Sequence, residues 1–146
     1  LLRPHTEMVV TPHLGEMARL TGDTVSLIQT RLVESAFTFA QTYNVVCVLK
    51  DFHTVTAIPY ALGYLNLSGN HGMATGGSGD VLSGVIGAFL AQGLTADVAA
   101  PLGVFVHGLA GDEAAKTTGK RALFSSDLID GLSRVYDRAD ADSERF

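Results

Sequence analysis

Apolar residues recur along this chain in two rhythms. In "TVSLIQTRLVESAFTFAQTY" they fall at Leu27, Ile28, Leu32, Ala36 and Phe39, the three-and-four spacing of a one-faced helix. In "NVVCVLK" they form an unbroken, β-branched run, the mark of a short strand buried on both faces, as in a parallel sheet. "EMVVTPH" reads as another strand, which stops at Pro12 because proline has no N–H for a ladder. "LGEMARLTG" reads as a short helix closed by Gly22. "TVTAIP" and "GYLNLS" are strand candidates joined by a turn around Pro59 and Gly63.

The later half is helical in rhythm. One helix is expected from Asp80 to Gln92, a second over residues 96–115 and a third over 127–136. The charged end "DRADADSERF", residues 137–146, is expected to fray. A strand–helix–strand unit at the front, with helices after it, predicts an α/β fold: a largely parallel sheet flanked by helices, formed by residues 1–136 as one domain.

Charge and composition narrow the class. Ten Lys and Arg against fifteen Asp and Glu, with no basic run, exclude a nucleic-acid surface. The longest apolar stretches carry Gly, Ser and Gln and fall short of the roughly 18 residues of a membrane span. The one cysteine, Cys47, sits inside the buried-strand pattern and reads as a small hydrophobe. A reducing, cytoplasmic setting is expected, and "LLRPHTEMVV" has no signal-peptide pattern.

Candidate chemistry centres on "GNHGMATGGSGDVLSGVIGAFLAQGL". Gly76, Gly77, Ser78 and Gly79 stand directly before Asp80 and an apolar helix. A helix N-terminus offers free N–H groups and a positive dipole end, and glycines let an anion approach the backbone. Asp80 would repel a phosphate, unless it acts beside it as a base that takes a proton from an attacking hydroxyl. The plainer alternative is a glycine turn with an N-terminal Asp cap. Asp80, Gly84 and Gly87 share one face, and the glycine stripe predicts close packing of another element on a buried helix.

Three stretches, that one with "VVTPHLGEMARLTG" and "GVFVHGLAGDEAA", together resemble the ATP- or ADP-dependent NAD(P)H-hydrate dehydratases of the ribokinase-like superfamily, from Met8 to Tyr136. The family repairs hydrated NADH and NADPH: the ring hydroxyl is phosphorylated from a nucleotide, and phosphate is then expelled. The resemblance implies Asp80 as the catalytic base against the substrate hydroxyl, with the small residues before it on the phosphate. "MATGGSGD" is similar to the bacterial loop, which implies ADP as donor; eukaryotic relatives usually carry Arg and Cys where Met73 and Ala74 stand.

In "TPHLGE" the resemblance implies that His13 binds the hydrated nicotinamide nucleotide and that Glu16 acts on Mg2+ through water. A loop histidine and a carboxylate favoured by the helix dipole are the alternatives. In "KDFHT" it implies nucleotide contacts from Lys50, Asp51, Phe52, His53 and Thr54; Asp51 replaces the family's usual glycine, and a solvated strand-end lysine is the other reading of Lys50. Asn70 is implied to line the nucleotide loop. His107 and Asp112 fit the third motif without an assigned role.

The family usually has a further α/β half upstream, which nothing here matches. The chain is therefore expected to be the C-terminal part of a larger domain and to self-associate along an uncovered sheet edge. A non-catalytic nucleotide-binding module and a small-molecule kinase of the same superfamily are the competing functions.

Overall fold

The computed structural model describes residues 8–143. They form two compact units: one from the chain up to Asn66 together with Phe89–Pro101, the other from Leu67–Ala88 and from Leu102 onwards.

The first unit carries the sheet. Strands β1 (Val9–Val10), β2 (Val46–Leu49), β3 (Val55–Ala57) and β4 (Tyr64–Leu65) lie in the order β1-β2-β3-β4. The class is α/β as expected, but the pairing departs from a largely parallel sheet. Among the described strands β1–β2 pairs in parallel, whereas β2–β3 and β3–β4 are antiparallel. The connections explain this. A parallel return takes a crossover of a dozen or more residues, which the helices between β1 and β2 supply. The short link from Leu49 to Val55 allows only a hairpin.

Helices α1 (Leu14–Thr21), α2 (Val25–Thr30) and α3 (Leu32–Tyr43) fill that crossover. The pattern over residues 24–43 predicts one helix; the structure has two, broken at Arg31 (φ −120°, ψ 38°). The Thr30 hydroxyl donates to the Leu27 carbonyl at 3.0 Å, beside the regular helical bond from the Arg31 N–H at 3.1 Å, and such back-bonding bends a helix. The apolar face survives the break except at Leu27, which is exposed. Ile28, Ala36 and Phe39 are buried with Met17, Val45, Cys47, Leu49 and Val55 in one core. Each large side chain among them contributes roughly 1.5–3 kcal/mol by leaving water. Burial pushes the Cys47 thiol up to about 12. The helices end where expected: Gly22 caps α1 and Asn44 caps α3, both left-handed.

In the second unit, α5 (Ala96–Thr118) and α6 (Ser125–Ser143) pack with the first part of α4 (Ser78–Ala91); α4 and α5 also contribute residues to the first unit. Close packing does occur at glycines, though not at those expected. A Cβ at Gly103 of α5 would lie 2.6 Å from Ile86, and one at Gly131 of α6 would collide with the Ala110 carbonyl. Gly84 and Gly87 instead face open space among the described residues, beside exposed Ser83 and Ala88. Helix α4 is thus buried on one face only, through Leu82, Val85, Ile86 and Phe89.

The segment from Asp137 does not fray at once, since α6 continues through Ser143. Glu113 of α5 holds it: its carboxylate accepts from Arg138 and, at 2.7 Å, from Lys116, while Arg134 donates to the Thr117 hydroxyl at 2.6 Å. The Lys116 hydrogen bond, followed by the charge of Arg138, keeps the Glu113 carboxyl below its ordinary range.

Candidate functional site

In the first unit, two separately read motifs come together. His13 is the N-cap of α1, and it forms a reciprocal capping box with Glu16. The His13 N–H donates to Glu16 Oε2 at 2.7 Å, and the Glu16 N–H donates to His13 Nδ1 at 3.1 Å. Accepting at Nδ1 places the ring proton on Nε2, which lies 3.4 Å from Glu16 Oε1. The Lys50 N–H donates to the Pro12 carbonyl at 2.8 Å, and Lys50 bridges to His13 in parallel register. Its Nζ comes within 3.9 Å of Glu16 Oε2. The hydrogen bond from the His13 backbone lowers the Glu16 carboxyl below its ordinary value; partial burial opposes this, and the Lys50 charge reinforces it.

Residues 51–54 form the tight link into β3. Phe52 is 80% exposed and meets His53 edge-on, ring centres 4.6 Å apart. Among the described non-glycine residues only Asn44 and Tyr60 have positive φ. Asp51 therefore makes this turn without the conformation that would favour glycine. The Thr54 carbonyl accepts from Asn66 at 2.9 Å.

In the second unit the glycine-rich loop leads into α4 as expected. Ser78 is buried, Gly76 and Asp80 are exposed, and Asp80 is the third residue of the helix. The Ser78 N–H turns back to Thr75 at 3.3 Å, and those of Asp80 and Val81 both reach the Gly77 carbonyl at 3.1 Å. No acceptor within the described residues takes the N–H groups of Gly76, Gly77 and Gly79. That is the arrangement an anion fills. Gly77 requires its identity twice over: its φ is +84°, and a Cβ there would lie 2.8 Å from Ser125 Oγ at the start of α6.

Asn70 lies in the same unit, but its amide is turned inward. It donates to the Gly111 carbonyl and to Asp112 Oδ1, each at 3.0 Å, and accepts from the Gly72 N–H at 3.1 Å. Asp112 and Ser125 are the neighbours of the loop that motif reading left without a role. The signal for Asp112 lay in "HGLAGDEA", where it directly follows a run of small residues on a helix; for Ser125 it lay in "SSDL", a helix start.

The donor set also bears on a divalent cation. Among the described residues no three His, Cys, Asp or Glu side chains gather as a metal cage. Glu16 is a single, half-exposed carboxylate whose Oε1 has no backbone donor. One such oxygen suits Mg2+, which keeps several waters and takes substrate phosphates as ligands. No described helix is long and apolar enough to cross a membrane.

Comparison with known proteins gives the family and the fold. The profile of a family described as NAD(P)H-hydrate dehydratase matches residues 1–134. The chain is 50% identical over 131 residues to the bifunctional NAD(P)H-hydrate repair enzyme Nnr of Moorella thermoacetica, covering 90% of this chain and 25% of that protein. It superposes on the ADP/ATP-dependent NAD(P)H-hydrate dehydratase of Bacillus subtilis, co-crystallised with ATP and Mg2+, with a TM-score of 0.84 and 35% identity. That match covers 89% of this chain and 47% of the other. A ribokinase-like superfamily protein of Enterococcus faecalis matches with a TM-score of 0.75 at 29% identity, over 94% of this chain and 46% of that one. The chain therefore spans less than half the length of these relatives.

Proposed function

Because the chain belongs to the NAD(P)H-hydrate dehydratase family and has a ribokinase-like fold, we propose that it takes part in nucleotide-dependent dehydration of hydrated NADH and NADPH, with ADP as the phosphoryl donor. The observation that carries this reading is Asp80, the third residue of α4, beside free N–H groups at Gly76 and Gly77 of the loop and at Gly79 of the first helical turn.

The chemistry follows from those groups. The loop amides hold the terminal phosphoryl of the donor and take up its developing charge. Asp80 accepts the proton of the ring hydroxyl as that oxygen bonds to phosphorus and the bond to the AMP oxygen breaks. The new phosphate ester then leaves with its bonding electron pair, a proton leaves the neighbouring ring carbon, and the double bond is restored. Ser78 and Gly79 start the helix that carries Asp80.

In the first unit, His13 presents its imidazole to the hydrated nicotinamide nucleotide. Lys50, Asp51, Phe52, His53 and Thr54 serve the nucleotide donor: Lys50 by charge, Phe52 by its exposed ring face. Glu16 would hold Mg2+ through water. When bound, the ion neutralises phosphate charge.

The exposed edge strand β4, with Tyr64 and Leu65 open to solvent, supports self-association of the chain. The single buried thiol supports a reducing, cytoplasmic setting.

Asp80→Asn tests the assignment. Turnover should fall about 100-fold or more, the usual share of a general base, with ADP affinity by calorimetry kept or raised. Retention of more than roughly a tenth of the rate would remove Asp80 from that role.

A further inference from the structure

We infer that Asp112 is a positioning residue for the glycine-rich loop, acting through Asn70. The inference rests on the reading of residues 76–79 as a phosphate loop for its functional consequence, though not for its geometry.

Both carboxylate oxygens of Asp112 are engaged by the loop. Oδ2 accepts from the Gly69 N–H at 2.9 Å, and Oδ1 accepts from Asn70 Nδ2 at 3.0 Å. The Asn70 nitrogen donates its second proton to the Gly111 carbonyl at 3.0 Å, and Asn70 Oδ1 accepts from the Gly72 N–H at 3.1 Å. One carboxylate–amide pair thus fixes the chain at Gly69, Asn70 and Gly72 against a rigid helix. A single 3-10 turn, His71–Met73, carries that anchor forward, closed by Met73 N–H to the Asn70 carbonyl at 3.0 Å.

Packing reinforces the clamp. Gly69 has φ +97°, and a Cβ there would meet Met73 Sδ at 2.9 Å; Met73 also fills the space beside Gly111. From Ala74 to Ser78 the loop has few bonds of its own, so its placement is inherited from the anchored start. Hydrogen bonds to an ionised acceptor are the stronger kind, which suits a group that must hold a glycine-rich segment in one conformation. This use of Asn70 commits both of its amide protons to the protein, so it acts on the loop and its nitrogen has no proton left for the nucleotide.

The test compares three variants of this chain by ADP calorimetry, amide hydrogen exchange over residues 69–80, and melting temperature. Asp112→Asn keeps an acceptor for Gly69 but turns an NH2 against the Asn70 NH2. It should raise exchange over 69–80 and weaken ADP about tenfold, the expected loss of one hydrogen bond to a charged group. The exchanged pair, Asn70→Asp with Asp112→Asn, restores a donor facing an acceptor and should recover part of both effects. Glu113→Gln cuts the neighbouring tie between α5 and α6 and should lower the melting temperature with ADP affinity and loop exchange unchanged.

Unchanged exchange over 69–80 in Asp112→Asn overturns the inference, as does equal weakening of ADP by Glu113→Gln. If Asp112→Asn does not fold, Asn70→Asp alone sets two carboxylates against each other and gives the same readouts. Loop loosening in Asp112→Asn, together with a wild-type chain that binds no ADP, would uphold the clamp and refute the phosphate loop.

Discussion

Replacing Gly76 and Gly77 separately by alanine divides a glycine kept for the fold from one kept for a ligand. At Gly77 the structure itself forbids a side chain: φ is +84°, and a Cβ would sit 2.8 Å from Ser125 Oγ and 3.1 Å from Ser125 Cβ. The left-handed conformation costs an L-residue roughly 1–2 kcal/mol, and forcing a methyl into a packed site adds about 1–3 kcal/mol. Gly77→Ala should therefore lose on the order of 3 kcal/mol. At about 2–4 °C per kcal/mol for a chain of this size, the melting temperature should drop by roughly 6–12 °C. Gly76 has no positive φ and nothing within 4 Å of an added Cβ. Gly76→Ala should leave stability unchanged or raise it by about 0.4–1 kcal/mol through the unfolded state. If a phosphate rests on that backbone, the methyl stands where the ligand belongs, and ADP affinity by calorimetry should fall at least about tenfold, equivalent to one lost hydrogen bond to a charged group. Wild-type ADP affinity in Gly76→Ala would refute the phosphate-loop reading. An unchanged melting temperature in Gly77→Ala would refute the close approach to Ser125.

Two further outcomes follow from exposure and charge. Gly84→Ala and Gly87→Ala should each stabilise this chain, by about 0.5–1 kcal/mol in a thermal melt, because both lie in a helix with open space around them; destabilisation would show that the face is covered. The folded Glu16 carboxyl is held below its unfolded value of about 4.3, first by the His13 N–H. Its contribution is therefore complete above that value and is lost as pH falls through the folded one. Urea melts from pH 7 to pH 3 should show less acid sensitivity in Glu16→Gln than in wild type, and equal slopes would contradict the capping geometry.

What the sequence made legible was what local chemistry decides. The short helix α1 closed by Gly22 follows from "LGEMARLTG", and the buried strand from an unbroken apolar run; both are present. The start of α4 is likewise a local signal, though the helix begins at Ser78, two residues before the expected Asp80, which it places in the first turn. What the sequence hid depends on distant partners. The extension of α6 to Ser143 rests on Arg138 finding Glu113 across 25 positions, which no helical rhythm reports. The anchor of Gly69 to Asp112 spans 43 positions. The break at Arg31 came from a hydroxyl competing for a backbone carbonyl, invisible in the apolar spacing. Gly84 and Gly87 were legible as a stripe, but a stripe does not say whether anything covers it. Lys50 and Glu16, 34 positions apart in the chain, meet only because β1 and β2 pair in parallel.

The most direct measurement is product analysis by mass spectrometry after hydrated NADH is incubated with the protein, Mg2+ and ADP. The account predicts NADH recovered with AMP and phosphate in equal amounts, at a rate that depends on ADP and is lost in Asp80→Asn. Recovery of NADH independent of ADP, or equal recovery by wild type and Asp80→Asn, would contradict it.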